Sequence, residues 1–492
     1  MTNDDVITSA VQSRYALHWT LWMWGGLLCF AGGTAVAQQI PVTDFESKQA
    51  VVASNVPVAW SLARTYGLAL EQDARLRISR AQTAGVRERL VQVQAQLKPN
   101  VSFNANYFRN DLARTQPNLL GQETTTNDLY NSHSQVVQLR YPLYRPALKL
   151  GVMQAQAQVD DAQASYDNEV QNLGLRVAES YVQALLAQDR EAFLWTQHRI
   201  ATQQTDAARK RFEGGQGIRT DIDEAQARLD WIQAQLLEAQ QSRQTALLQL
   251  ATIVQQPVDH VLSLDEQRWL QITDQTTQKS LQEWMSQVEA HSPDVKTMQA
   301  RIEAARAGVK IAETGHKPTL DAVAMVTRSA SENVTSPKSS YVNRQIGVQF
   351  NLPLYAGGAV QSSVRQALAE LQRQEDTLDA IRRDLQVKVQ KEWRGITEGQ
   401  RRAQALSKVV DSSDQVVVSV RRSFEGGVRT ILDVLNAEQQ AHQARRDLAE
   451  ARYGLVMSHL RLLSLAGQLD EPQMAHISGW FSKSSTASAN AQ

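Results

Sequence analysis

Two long tracts without a proline, from Pro146 to Pro257 and from Pro353 to Pro472, restrict what this 492-residue chain can fold into. Both are rich in Ala, Gln, Leu, Arg and Glu, which favour helix, whereas an interior proline costs ~3 kcal/mol. Apolar side chains recur at helical spacing: Leu378, Ile381, Leu385, Val389, Trp393 and Ile396 in one tract, Val177, Tyr181 and Leu185 in the other. Leu448, Leu455 and Leu462 keep a heptad. A helix from about Pro146 to Glu213 is about 100 Å long at 1.5 Å per residue. No compact domain holds a rod of that length, so its apolar stripe needs other rods beside it.

The tracts belong to a tandem duplication. Lys98-Pro99 matches Lys317-Pro318, Pro142-Leu143-Tyr144 matches Pro353-Leu354-Tyr355, and Phe212-Glu213-Gly214-Gly215 matches Phe424-Glu425-Gly426-Gly427. Each copy reads strand, strand, very long helix, glycine break, second helix. Glycine supplies the left-handed conformation that ends a helix. Thr220 with Asp223, and Thr430 with Asp433, have the spacing of a capping box that restarts one. The first copy carries two extra residues, Gln216 and Gly217, which predicts two turns of different shape.

Ahead of each tract lie two strand candidates. Val101, Phe103, Ala105 and Tyr107 alternate with Ser102, Asn104 and Asn106, and Val137, Leu139, Tyr141 and Leu143 alternate with Gln138, Arg140 and Pro142. In the second copy Leu320, Ala322, Ala324 and Val326 form one strand, and Ile346, Val348, Phe350, Leu352 and Leu354 the other. Period two with one apolar and one polar face suits a wall between lipid and water. The connecting segments Asp111–Asn131 and Ser329–Asn343 are rich in Thr, Asn and Ser and read as exposed loops. Four such strands leave two open edges, which hydrocarbon does not tolerate, so copies of the chain must close the sheet. Two copies give eight strands and three give twelve, and periodicity leaves both open. A soluble sandwich fits the strands equally well, but the rods leaving it have nothing of comparable length to pack on.

Lys and Arg number 51 against 51 Asp and Glu, so the basic excess of a nucleic-acid binder is missing. Beyond residue 40 no stretch approaches the ~18 apolar residues of a spanning helix. The first forty residues differ: Arg14 and His18 precede an apolar run from Leu21 to Phe30, and small residues end at Ala35-Val36-Ala37. This is the layout of a secretory signal peptide cleaved after Ala37. The one cysteine, Cys29, lies inside it behind a bulky Leu28, which argues against lipidation.

The chain resembles the TolC-type outer-membrane efflux and secretion channels of Gram-negative bacteria. The resemblance runs from about Val58 to Asp470. It rests on the duplicated Phe-Glu-Gly-Gly turn with its following Thr-x-x-Asp, on Asp433-Val434-Leu435-Asn436-Ala437-Glu438, and on Leu352-Pro353-Leu354-Tyr355-Ala356-Gly357-Gly358. It implies a mainly helical, internally duplicated fold: a homotrimer whose four strands per chain make a twelve-stranded transmembrane β-barrel, continued by a periplasmic α-barrel. The expected layout is a signal peptide over 1–37 and an N-terminal segment with the first periplasmic helices over 38–97. Hairpins over 98–145 and 317–355 then alternate with helical tracts over 146–256 and 356–469, an equatorial segment and the helices of the second repeat occupy 257–316, and a polar tail covers 470–492. The resemblance also implies a periplasmic adaptor and an inner-membrane ABC or RND-type transporter as partners, outer-membrane lipid around the barrel, and no cofactor. Both glycine turns, with Gly214, Gly215, Thr220 and Asp223 and with Gly426, Gly427, Thr430 and Asp433, are assigned to a mixed ring at mid-height. The periplasmic aperture is assigned to Ala187–Arg190 and Trp393–Glu398. There Asp189 would face Arg190 or Arg394, with Glu398 nearby.

Catalytic and metal-binding motifs are missing: the sequence holds no phosphate loop, no His-Glu-x-x-His pair and no Gly-x-Ser-x-Gly elbow. The acids Asp221, Asp223 and Glu224 suit a helix start better than a metal site. Of the rival classes, a periplasmic adaptor needs one coil between β-rich modules, and a purely structural coiled coil does not need the alternation from Ile346 to Leu354. Protein secretion and drug efflux use similar ducts; the missing lipidated cysteine favours secretion, possible cargo including a toxin.

Overall fold

A computed structural model describes residues 59–117, 120–265, 279–331 and 339–482; the expected signal peptide lies outside them. Chain order is α1 (Leu62–Gln72), α2 (Ala74–Ala95), β1 (Asn100–Pro117), β2 (Glu123–Tyr144), α3 (Pro146–Glu213), α4 (Arg219–Val254) and β3 (Ser263–Leu264), followed by α5 (Leu281–His291), α6 (Pro293–Glu313), β4 (Thr319–Ser331), β5 (Ser339–Asn351), α7 (Ala359–Glu425), α8 (Ile431–Leu465), α9 (Glu471–Ser478) and β6 (Phe481–Ser482). None of the described helices is long and apolar enough to cross a membrane. The apolar outer surface lies on a sheet instead.

That sheet is antiparallel in the order β1-β2-β4-β5. Directly opposed residues share a face. The register aligns Val101, Leu139, Ala324 and Ile346 in one row, and Ser102, Gln138, Met325 and Gln345 in the next. One face is therefore apolar and the other amide- and hydroxyl-rich, and the apolar one is open, with Val101 at 67% and Ile346 at 90% exposure. The expected loops are shorter than the composition suggested, because β1 continues to Pro117 and β2 resumes at Glu123. Beyond the apolar band both faces are polar, so the two-residue period disappears although the ladder continues. Thr115 Oγ1 and Thr125 Oγ1 meet at 2.8 Å there, and Asn110 donates to Ser132 Oγ at 2.9 Å.

Where sheet meets rods, Asp321 is 3% exposed and accepts four N–H bonds. Arg140 gives two, at 3.1 and 2.6 Å, and Arg145 two, at 2.7 and 2.5 Å. Arg145 immediately precedes α3, so this charge-assisted cluster ties the root of the rod to β4.

The rods come in unequal pairs: α3 has 68 residues against 36 in α4, and α7 has 67 against 35 in α8. Each short helix runs back antiparallel along the distal half of its partner. In the second copy, Asp414 pairs with Arg445 and Arg421 with Glu438, so positions rise on α7 as they fall on α8, and in the first copy Arg190 pairs with Glu238 across the turn. Along the proximal half, α3 is flanked by α2 and α6, and α6 also packs on α7. The principal core lies where the short helices stop. Tyr181, Leu185, Leu460 and Leu462 are fully buried there among α1, α9 and the β3–β6 pair. Each such aliphatic side chain contributes about 1.5–3 kcal/mol.

Candidate functional site

Three levels along the rods are relevant to passage. At the level farthest from the sheet both long helices end in matching caps. Gly214 N–H donates to Lys210 O and Gln216 N–H to Arg211 O; Gly426 N–H donates to Arg422 O and Val428 N–H to Ser423 O. Gly215 and Gly427 hold φ of 71° and 75°, the left-handed region where a side chain is strained. The glycine turns therefore tip the rods and do not belong to a ring at mid-height. The expected difference in shape is also absent at the caps. The two extra residues of the first copy are absorbed because α4 starts two positions earlier relative to the motif, with Ile218 at its N-cap. Thr220 accordingly lies inside α4 and caps nothing, and Asp223 lies further along the same helix. In the second copy Thr430 is the N-cap: its hydroxyl accepts from Asp433 N–H at 3.3 Å, and Asp433 accepts from Thr430 N–H at 3.0 Å. Those bonds and the nearby Arg429 hold the Asp433 carboxyl below its ordinary pKa. The tips of the two copies adjoin, with the Arg211 guanidinium 4.8 Å from the Phe424 ring centroid.

At mid-height α3 acts as a post to which three returning segments are fastened. Gln171 accepts from Leu469 N–H at 2.9 Å and donates to Leu469 O at 3.3 Å; Gln188 treats Val261 in the same way, at 3.4 and 3.3 Å. These amides copy the pairing of a β-bridge. Between them the Tyr181 hydroxyl lies 2.9 Å from Trp60 O and 3.1 Å from Leu262 O, and it accepts from Leu262 N–H at 3.0 Å. Burial pushes the Tyr181 pKa up, which keeps the phenol neutral. Sequence reasoning placed Tyr181 in the apolar stripe of α3 but assigned it no hydrogen-bonding part, and it did not single out Gln171 or Gln188. Their one signal was the heptad step from Gly174 through Tyr181 to Gln188, which resembles ordinary coil packing.

Of the residues assigned to the aperture, Asp189 sits at the lower edge of this ring, and Arg394 and Glu398 lie at the height of Tyr181 to Gln188. Asp189 stands about 37 Å from the Gly214 turn, and Arg394 and Glu398 about 48 and 42 Å from the Gly426 turn, at 1.5 Å per residue. They are not brought together as expected. Asp189 accepts a hydrogen bond from the Tyr453 hydroxyl at 2.6 Å, and Arg190 pairs with Glu238. Arg394 and Glu398 lie where α7 passes α8, beside Gly395, whose missing side chain admits Ser458. Burial raises the Asp189 pKa, and the Tyr453 hydrogen bond opposes that shift. Within one chain this carboxylate is thus engaged by Tyr453 and not by Arg190 or Arg394.

Below it a trough of about 760 Å³ separates α3 and α4 from α8, lined among others by Arg190, Trp231, Glu238, His442 and Arg446. Burial, reinforced by the charge of Arg445, lowers the His442 pKa.

The family model described as outer membrane efflux protein matches residues 65–254 and again 284–468, one match per copy of the duplication. The proteases secretion protein PrtF of Dickeya chrysanthemi is 29% identical over 430 residues, covering 86% of this chain and 91% of that relative. The alkaline protease secretion protein AprF of Pseudomonas aeruginosa is also 29% identical, over 86% and 88%. The outer membrane protein TolC of Vibrio cholerae is 27% identical over 85% and 93%. Among solved structures, the outer membrane protein VceC of Vibrio cholerae superposes with a TM-score of 0.67 at 17% identity, over 83% of this chain and 97% of that one. The open-state MtrE channel of Neisseria gonorrhoeae gives 0.67 at 19%, over 84% and 90%. With the lipid-facing sheet and the long rods, these matches show that the chain belongs to the outer membrane efflux protein family and is an outer-membrane exit duct with a long periplasmic helical extension.

Proposed function

We propose that three copies of this chain close a twelve-stranded barrel and a continuous helical tube, which exports protein delivered by an inner-membrane ABC-type transporter through a periplasmic adaptor. The observation that carries the assembly is a pair of matching open flanks. Within the chain, β2 of the first copy joins β4 of the second, whereas β1 and β5 are free edges. Likewise α6 packs between α3 and α7, whereas its repeat counterpart α2 packs on α3 alone among the long rods. Ile78 and Val91 on α2, and Leu368 and Val387 on α7, are left exposed. Repeating the internal joint between chains covers both flanks.

The duplication fixes the register of that joint. Val137 opposes Val326 within the chain, so Val348 should oppose Tyr107 of the next. Tyr107→Cys with Val348→Cys is expected to give a disulfide-linked trimer on non-reducing gels. The two sites lie on opposite margins of one sheet, so a product that stays monomeric refutes the closure.

The names of the PrtF and AprF relatives favour protein cargo. A drug-efflux duct of the same fold is the second reading, supported by the family description. A deletion strain that loses export of a protease while keeping drug resistance supports secretion; the reverse supports efflux. In either case the duct conducts and performs no chemistry. We place its periplasmic mouth at the glycine turns, with Asp221, Arg429 and Asp433 among the charges beside them. Arg429→Ala with Asp433→Ala is expected to change single-channel conductance in planar bilayers, and Asp189→Ala to leave it unchanged.

A further inference from the structure

The outward face of the sheet carries a second pattern besides its apolar band. Moving up each strand from the rods, the apolar outward residues give way to a basic one: Arg109 on β1, His133 on β2, Arg328 on β4 and Arg344 on β5. The register puts all four on the lipid side, since His133 opposes Tyr107, Arg328 opposes Val342 and Arg344 opposes Val326, while Arg109 follows Tyr107 by one full pleat. The duplication puts them at matched heights. Arg109 and Arg328 each stand ten residues beyond the proline of their Lys-Pro pair, and His133 and Arg344 each stand nine before the proline of Pro-Leu-Tyr. Across the sheet the register places the four in successive rows two residues apart, a diagonal that the strand tilt of a closed barrel brings toward one level.

That level is informative. From Val101 to Arg109 is about 27 Å along the strand, or about 20 Å along the barrel axis at a tilt near 40°. An apolar band of this height ends at the far headgroup layer. Basic side chains are tolerated there at small cost, whereas at mid-bilayer they are costly. Arg109, Arg328 and Arg344 are exposed, and none has an ion-pair partner among the described residues. The nearest acid on this face is Asp111, one pleat beyond Arg109. The opposite, inward face at the same height carries Phe108, Asn110, Ser132, Thr327 and Asn343, with no basic residue. Charge that faces lipid alone, at one height, fits an anionic partner within the membrane plane. Guanidinium groups match phosphate bidentately.

We infer that Arg109, Arg328 and Arg344, assisted by His133, form a girdle that binds the phosphate groups of the outer-leaflet glycolipid. The inference rests on the proposed trimer, in which nine guanidinium groups ring the barrel. The test uses the full-length trimer extracted in mild detergent, with co-purified lipid A quantified by mass spectrometry. Arg109→Gln with Arg328→Gln and Arg344→Gln is expected to retain at least about tenfold less lipid A than wild type. In phosphatidylcholine vesicles, added bisphosphorylated lipid A should raise the dissociation temperature of the wild-type oligomer, and dephosphorylated lipid A should not. Equal retention by the variant, or equal stabilisation by the dephosphorylated lipid, overturns the girdle and leaves these arginines as solvated charges. The variant's folding is checked by its heat-modified mobility in phosphatidylcholine alone. A wild type that shows no such mobility overturns the barrel itself, a distinct outcome.

Discussion

His459 offers a direct test of how the mid-height core holds the duct together. Its ring is 5% exposed on α8, with the Trp480 ring centroid 5.6 Å away. Burial, helped by the neighbouring His476, pushes its pKa down from 6.5 to about 4. An unfolded chain takes up this proton near pH 6.5, while the folded chain resists until about pH 4. Between those values the unfolded state binds more protons, so stability is complete above the upper limit and falls as the pH drops toward the lower one. A difference of that size corresponds to about 3 kcal/mol per chain at 1.36 kcal/mol per pKa unit. The assay is urea unfolding of the detergent-solubilised trimer, followed by helical circular dichroism at pH 7.5 and pH 4.5. Wild type should lose about 2–3 kcal/mol more between the two conditions than His459→Gln, because pH 4.5 lies just above the lower limit and carboxylates titrate alike in both proteins. His476→Ala should recover part of the loss by removing the second cationic ring. Identical pH dependence in wild type and His459→Gln would refute the reasoning, because the buried imidazole would then not be the group that takes up the proton.

Three further substitutions probe other joints. A Cβ at Gly174 would sit 2.7 Å from Leu469 Cδ2, so Gly174→Ala should cost about 1–3 kcal/mol and lower the dissociation temperature of the oligomer. Gly427 has open space but a φ of 75°, so Gly427→Ala should cost about 1–2 kcal/mol from backbone strain alone, read as faster proteolysis at the tip. Asp321→Asn weakens a buried carboxylate gripped by two arginines, and truncating such clusters costs about 3–5 kcal/mol; proteolytic nicking near Arg145 should report the loosened root of α3.

Much of this architecture is written in local signals. Proline spacing gave the rods, because a single interior proline would have broken them. The two-residue period gave the lipid face from Val101 to Tyr107 and from Ile346 to Phe350, because one wet and one dry surface impose it. Where both surfaces are wet the period carries no information, and the extension of β1 and β2 past Asp111 and Asn131 was read as loop. The matched Gly-Gly caps were legible as helix ends for the same reason: left-handed backbone needs glycine wherever it occurs.

Height along the axis is a different kind of quantity, and it explains why the glycine turns and Asp189 were assigned each other's places. A turn motif says that the chain reverses but not how far from the membrane it does so. That distance follows from comparing the two arms: a helix of 68 residues answered by one of 36 must leave its partner's proximal half uncovered. The tip then lies at the turn, and whatever follows the short arm docks at mid-height. The same comparison holds for 67 against 35 in the second copy. It also accounts for the side chains found at the docking level. Gln171 and Gln188 face backbone that follows a short helix, and Tyr181 closes on the bridge between Trp60 and Val261, so these side chains add hydrogen bonds that so short a pairing leaves unmade. Asp189, one residue further, is partly buried by the same arrival and accepts its hydrogen bond from Tyr453. A charged residue near the middle of a long rod is therefore a poor candidate for a mouth whenever the answering arm ends beside it.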